Sequence, residues 1–408
     1  MRTCLLFCLC VGARVVFGAW RAVGPDGGNI AVLATSPDRP EVLYAVPYEN
    51  STSARLFRSL DHGRSWYFIA TIPEELITRL AVDPHDSDLL YALGRGTVLY
   101  RSTNQGQDWM RVTLPGTAAA LATDPLLPGY LYLAGYYNYS GAYRAAAYVS
   151  SDYGLTWEVS MPEPETTGYA EAVIASPLDS GMVFLGATYG RLYRSDDACR
   201  TWVRLSNGIP AGSAVQALSV NPQDGMFVLA GLSNGLFRST DQGESWARVG
   251  EMTTVLDVAF GQGGDLAYCL GQGDSMRFWA SVDSGGTWHA PRPGYAGSKS
   301  ARILADPREP HVCWLFDERG IYNSQDTGAH WRAANSGLRL AHISCISVSP
   351  CDQNCLYIEV AENGVFKTLS AGDSWSRCSD FLSCGSICGI GISGAFGQEV
   401  VYALEGSG

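Results

Sequence analysis

The chain has 408 residues, 46% of them hydrophobic and 17% charged, with 40 acidic residues against 28 basic ones and a formal net charge of −12. That excess repels phosphate backbones and argues against a nucleic-acid partner, because non-specific affinity for nucleic acid comes from neutralising phosphates with Lys and Arg. After the N-terminal run, no segment approaches the ~20 continuous apolar residues of a membrane span.

At the N-terminus, Arg2 is followed by apolar runs over residues 5–11 and 15–17 and then by the small pair Gly18-Ala19. This is the pattern of a secretory signal peptide, so residues 1–19 are read as a leader and 20–408 as the exported domain. Past the leader, tryptophans recur as a ladder: Trp20, Trp66, Trp109, Trp157, Trp202, Trp246, Trp288, Trp331 and Trp375, at steps of 42 to 48 residues. A period of roughly 40–50 residues is one four-stranded blade, which predicts an all-β propeller filling nearly the whole chain.

One unit shows the grammar. Residues 80–84 (Leu-Ala-Val-Asp-Pro) read as a first strand with its exit turn, 89–93 as a second strand, 98–102 as a third and 109–112 as a fourth. Matching first strands end at Ser36-Pro37, Asp124-Pro125, Ser176-Pro177, Asn221-Pro222, Asp306-Pro307 and Ser349-Pro350. Proline is tolerated there because it lies outside the ladder.

Every Trp after the first closes an octet of the form Ser/Thr-x-Asp-x-Gly-x-Ser/Thr-Trp, as in residues 59–66, 239–246 and 281–288. The short Asp accepts hydrogen bonds from turn amides, Gly supplies the left-handed position, and Trp packs between neighbouring sheets. Asp61, Asn104, Asp152, Asp197, Asp241, Asp283, Asp326 and Ser370 are therefore read as structural, with Trp66, Trp109, Trp157, Trp202, Trp246, Trp288, Trp331 and Trp375, and not as paired catalytic carboxylates. Four copies depart from the pattern: Asn104 and Ser370 replace Asp, Cys199 replaces Gly, and His330 takes the penultimate place.

The loops joining second to third strands, and one blade to the next, are expected on the face opposite the octets, where a ligand would sit. Two stand out. Residues 47–53 carry Tyr48, and the longest repeat carries Tyr136, Tyr137, Tyr139 and Tyr143. These five are the candidate ligand-binding residues, a stacking platform for a sugar or peptide; the alternative is ordinary strand composition, which favours Tyr. Asn50-Ser-Thr52 and Asn138-Tyr-Ser140 fit the N-glycosylation acceptor pattern.

Twelve cysteines are present. Cys4, Cys8 and Cys10 fall in the leader, while Cys345, Cys351, Cys355, Cys378, Cys384 and Cys388 crowd into one stretch and, in an exported chain, are read as a disulfide region. Cys199, Cys269 and Cys313 are read as buried apolar residues. The cysteine spacings lack interleaved histidines, so zinc is disfavoured. With no Ser-His-Asp order, Gly-rich phosphate loop or metal-spaced His pair, no catalytic residue, metal or cofactor is assigned.

Near the C-terminus two further strands are expected at 389–393 and 399–404. With an isolated strand at 20–23 they would complete one shared blade, giving eight full blades plus a composite ninth. An eight-bladed ring with loosely attached ends, and the N-terminal portion of a longer protein, are the alternatives.

The octet resembles the Asp-box of bacterial neuraminidase (BNR) repeats, which occurs in xyloglucanases, sortilin-type receptors and the photosystem II assembly factor. The resemblance implies a propeller whose octets are peripheral turns remote from catalysis. The expected role is an exported, non-enzymatic binding or scaffolding module for a glycan or an extracellular protein. One alternative is a glycoside hydrolase resembling half of a xyloglucanase-type double propeller, whose carboxylates face each other across two rings; another is an assembly factor with a protein partner. The Arg-Ile-Pro segment of sialidases is absent, the nearest string being Arg302-Ile303-Leu304. Pairs such as Glu74-Glu75, Glu163/Glu165 and Asp317-Glu318 are read as solvated loop charges rather than the two carboxyls of a glycosidase.

Overall fold

The computed structural model describes residues 29–48, 53–74, 76–164, 166–205, 207–272, 276–289, 301–317, 320–334, 343–348, 355–360, 364–369, 375–377, 387–395 and 398–405. The expected leader and the strand expected at 20–23 lie outside them. Apart from the short 3-10 turn Thr188–Gly190, every described element is a strand. The chain divides into two units, one of them Asp26–His342 and the other containing Ile343–Gly408.

Seven sheets follow one another in Asp26–His342, each an antiparallel meander in chain order. Sheet one is Ile30–Thr35, Leu43–Pro47, Ala54–Ser59 and Tyr67–Ile72. Sheet six has three strands, and an isolated bridge between Ala280 and His289 stands where its fourth would be. The first strands of the seven sheets (Ile30–Thr35, Ile77–Val82, Thr117–Thr123, Ala170–Ala175, Val215–Val220, Thr254–Phe260 and Arg302–Ala305) pack side by side in that order. Sheet seven returns to sheet one through Cys313–Asp317, which packs on Ile30–Thr35. The unit is thus a closed seven-bladed propeller.

Eight full blades plus a composite ninth are therefore not what the chain builds. Closure comes after the seventh, because the apolar faces of sheets one and seven bury each other: Leu43, Phe57 and Trp66 share a core with Trp314, Phe316 and Ile321. The Trp66 indole adds a hydrogen bond, its Nε1 donating to the Ala334 carbonyl at 2.8 Å. The eighth repeat lies in the other unit. There Ile343–Val348, Leu356–Val360, Gly364–Thr368 and Ser376–Arg377 form a sheet of the same order, and Ile387–Ala395 pairs with Gln398–Glu405. The last two strands fall where the sequence places them, paired with each other.

Seven apolar clusters occupy the seven junctions between adjacent sheets; six include the octet Trp of the later sheet, and the closing junction includes Trp66 of sheet one. Second strands such as Leu43–Pro47, Leu90–Gly94 and Val228–Leu232 are buried at every residue. Covered on both faces, they read as continuous apolar runs instead of alternating ones.

At two of the strand-ending prolines the preceding residue has a role the sequence did not announce. Asp83 accepts the His85 and Asp86 amides on Oδ1 and the Tyr91 hydroxyl on Oδ2 at 3.1 Å. Asp124 repeats this with Leu126, Leu127 and Tyr132. Both aspartates are buried, and the hydroxyl eight residues on is the partner that makes burial affordable.

Cys199, Cys269 and Cys313 are buried free thiols, as the sequence suggests, and burial pushes the first two well above the ordinary thiol range. Cys355, expected in a disulfide, is instead a free thiol packed with Tyr357 and Val365. Strand packing, not covalent linkage, accommodates it. The described side chains contain no disulfide; Cys351, Cys378 and Cys384 lie outside the described residues.

Candidate functional site

The octets fold as hydrogen-bonded turns. In residues 59–66 the Ser59 hydroxyl donates to Asp61 Oδ1 and accepts the Gly63 amide, while Asp61 accepts the Ser65 amide at 2.8 Å and the Ser65 hydroxyl at 2.5 Å. The same set recurs around Asp152, Asp197, Asp241 and Asp283. Burial raises the carboxyls of Asp61, Asp152, Asp241 and Asp283, but the hydroxyl and amide donors together outweigh it and hold them below the usual carboxylate range. At Asp197 and Asp326 the largest influence is the side-chain hydrogen bond, from Thr201 and His330 respectively. Each of these carboxylates is thus engaged on both oxygens in holding its own turn.

The departures keep the turn in different ways. Asn104 accepts the Ser102 hydroxyl and the Asp108 amide on Oδ1, and its Nδ2 donates to Asp108 at 2.8 Å, so donor and acceptor have exchanged ends. Cys199 stands in the left-handed region at φ +69° and still donates its amide to Ser195. His330 brings Nδ1 to 2.6 Å from Asp326. Ser370 lies outside the described residues.

In a four-stranded meander the octet turns share one face with the first-to-second turns, and the other connections share the opposite face. On that opposite face sheet three carries the longest hairpin, Leu131–Tyr139 with Ala142–Ser150, closed by Ser140-Gly141 in a two-residue turn with positive φ at both positions. Its pleat divides the four tyrosines. Tyr136 and Tyr143 fall on one side and meet edge to face, with ring centroids 5.1 Å apart. Tyr137 and Tyr139 fall on the other, where Tyr137 packs on the core between sheets two and three and Tyr139 is exposed at the tip.

A residue outside the predicted set completes the cluster. Tyr169, in the connection from sheet three to sheet four, stands 4.9 Å from Tyr136 and 6.3 Å from Tyr143 by ring centroids. Its backbone is pinned on both sides: the Gly168 amide donates to the Tyr143 carbonyl, and the Tyr169 carbonyl accepts the Thr188 amide. Tyr189 projects next to this junction from the turn Thr188–Gly190, with the Arg191 guanidinium 5.1 Å from its ring centroid. Arg191 in turn donates to Thr166 Oγ1 and the Thr167 carbonyl. Tyr143, Tyr169 and Tyr189 are 51%, 43% and 56% exposed, so the patch offers aromatic surface on a backbone held at several points. Tyr48 is also exposed but belongs to sheet one, two sheets away, and makes no ring contact among the described residues. Only position in the fold marks Tyr169 and Tyr189; each precedes or follows a glycine in a loop, with no motif around it.

Among the described residues no group of three or more His, Cys, Asp or Glu side chains is placed to hold a metal ion, and no helix is long and apolar enough to cross a membrane.

Comparison with known proteins follows the same lines. The family profile described as "Sortilin, neurotensin receptor 3" matches residues 54–158. A xyloglucanase from a Paenibacillus species is 29% identical over 285 residues, covering 56% of this chain and 27% of the relative. A xyloglucanase of Acetivibrio thermocellus is 30% identical over 278 residues, covering 55% and 32%. The chain thus spans less than a third of the length of these curated relatives. Among solved structures, the GH74 xyloglucanase from Xanthomonas campestris superposes with a TM-score of 0.65 at 16% identity, covering 90% of this chain and 70% of the other. YCF48 bound to D1 peptide superposes at 0.54 and 16% identity, covering 76% and 97%. At such identities the structural likeness speaks for the fold alone, and fold and sequence agree: the chain is a β-propeller similar to the BNR/Asp-box repeat propellers, among them those of sortilin and the xyloglucanases.

Proposed function

We propose that this chain is an exported, glycan-directed propeller of the glycoside hydrolase type, corresponding to part of a xyloglucanase-like protein. The alternative in the sequence reading is thus preferred to the purely non-enzymatic module. The observation that carries it is the stretch 29% identical to a xyloglucanase over more than half of the chain. The aromatic patch of Tyr136, Tyr143 and Tyr169 supports it, since a sugar ring stacks its C–H face on an exposed tyrosine at low entropic cost. The octet aspartates take no part in this reading, being held in their turns.

The test is incubation of the purified chain with xyloglucan, with other β-glucans and with an unrelated polysaccharide, scored separately for retention and for newly released reducing ends. Retention of xyloglucan with release of reducing ends is the expected result. Retention without release would return the chain to a binding module, and neither would overturn the glycan reading altogether.

A further inference from the structure

The Asn-x-Ser/Thr acceptor pattern occurs twice in the chain. The copy at Asn50 lies outside the described residues, whereas Asn138-Tyr-Ser140 spans the tip of the sheet-three hairpin. The strands Leu131–Tyr139 and Ala142–Ser150 have nine residues each, where second and third strands of the other six sheets of the ring have five or six. The excess is at the tip, because the other end pairs Leu131 with the first residue of the octet, Ser150. Three or more extra residues carry the tip roughly 10 Å further along the strand direction. Asn138 and Ser140 are both exposed there.

Asparagine is depleted in strands and is at home in turns. Elsewhere in the ring its amide holds structure: Asn104 completes an octet, and Asn221 accepts two turn amides and donates to the Gly264 carbonyl of the next sheet. Asn138 instead stands within a strand, and among the described residues neither its side chain nor the Ser140 hydroxyl has a hydrogen-bond partner. The fold makes no use of either group. Register fixes the side on which the free amide lies. Asn138 is directly opposite Tyr143, and facing residues of an antiparallel pair share a side, with Cβ atoms about 4.5–5.5 Å apart. Tyr136, two residues earlier, is on that side as well, and its ring meets those of Tyr143 and Tyr169. Asn138 is thus the polar member of the aromatic face, on the side away from Tyr137 and Tyr139.

We propose that Asn138 is an N-glycosylation site whose first sugar packs on the rings of Tyr143 and Tyr169. In the modification, Asn138 Nδ2 attacks the anomeric carbon of an N-acetylglucosamine carried on a lipid diphosphate. The bond from that carbon to Nδ2 forms as its bond to the diphosphate oxygen breaks; the lipid diphosphate leaves and the amide gives up one proton. The attached sugar lays its C–H face over the half-exposed rings, and the bulky remainder of the glycan extends into solvent. The site is independent of the polysaccharide reading, since it is read by mass and by release of its own sugar. The polysaccharide test itself calls for a chain with Asn138 bare, because the attached sugar and an external one contend for the same rings.

The full chain, sent through the secretory pathway of insect cells behind a heterologous leader and recovered from the secretory lumen or the medium, is mapped by peptide mass spectrometry. The peptide containing Asn138 is expected to carry an N-acetylglucosamine-based glycan that is lost in Asn138→Gln and in Ser140→Ala. A bare Asn138 in the recovered chain overturns the proposal. Packing is read from the rate at which a peptide N-glycanase releases the glycan from the folded protein. Tyr143→Ala should speed release ~5- to 10-fold, the size of one lost aromatic contact, while Tyr139→Ala, on the other side of the strand, should leave the rate unchanged. Equal rates for Tyr143→Ala and the unsubstituted chain overturn the packing. Release no slower from the folded unsubstituted chain than from the same chain denatured overturns it without any variant.

Discussion

At the scale of single residues, an octet works by matching donors to acceptors, and the variant at residues 102–109 shows how closely. Asn104 has one oxygen where the usual Asp has two, and Asp108 supplies the missing acceptor at the far end of the turn. Asn104→Asp should therefore set two carboxylates against each other and cost about 1 kcal/mol, and adding Asp108→Ser should recover most of it. Urea unfolding of the two single variants and the double variant measures that coupling; additive effects would mean that the contact contributes nothing. The other octets predict a pH dependence. Their carboxyls titrate lower in the folded chain than the unfolded value of about 3.9. Their contribution is thus complete above that pH and is lost as the pH falls through the depressed folded values. Melting temperature should be flat from neutrality down to about pH 5 as far as these groups are concerned, and should fall steeply below pH 4. The Asp, Gly and Trp of the octet are legible in sequence because the turn is local. The exchange between Asn104 and Asp108 is equally local, and the spacing alone contains it once donors and acceptors are counted.

At the scale of elements, the hairpin of sheet three separates what the sequence groups. Four tyrosines within eight residues look like one platform, but side chains alternate across a strand, and the pleat sends Tyr137 toward the core while Tyr136 and Tyr143 meet Tyr169. Tyr143→Ala removes a half-exposed ring from the patch. It should weaken xyloglucan retention on an affinity gel ~5- to 10-fold, in line with about 1–1.5 kcal/mol for an aromatic contact, and move the melting temperature little. Tyr139→Ala, on the other side of the strand, is the control and should leave retention unchanged. Bulges in five first strands, at Ile30/Val32, Ile77/Arg79, Ala170/Ala172, Val215/Ala217 and Val255/Asp257, were not legible at all. A bulge adds one residue to one strand of a pair, and that residue can be identified only when its partner strand is in place, as at Glu171 and Gln216. The same reasoning explains why nothing in sequence groups Arg79, Asp257 and Arg302: they lie in three different sheets and come together only around the axis.

At the scale of the molecule, seven sheets close a ring and the eighth repeat belongs to a different unit. Trp66 sits at the closing junction, almost wholly buried and hydrogen-bonded across it to Ala334. Trp66→Ala should cost about 3–5 kcal/mol, the range for a large aromatic removed from a core, and should exceed the cost of Trp157→Ala, whose indole is only partly buried. Chemical denaturation of the two variants decides the order. A fragment of residues 26–342 should fold with the far-ultraviolet spectrum of a β protein and unfold in one cooperative transition; a broad, non-cooperative melt would show that the ring depends on the rest of the chain. By itself the sequence determined the blade: its period, its four strands, its proline exits and its octet turns, because each of these is settled by contacts within some forty-odd residues. How many blades close, which tyrosines meet and which charges share the axis were decided only by the tertiary structure. A repeat fixes what each sheet is, whereas closure depends on the small angle added at every sheet-to-sheet junction and on which two faces finally bury each other.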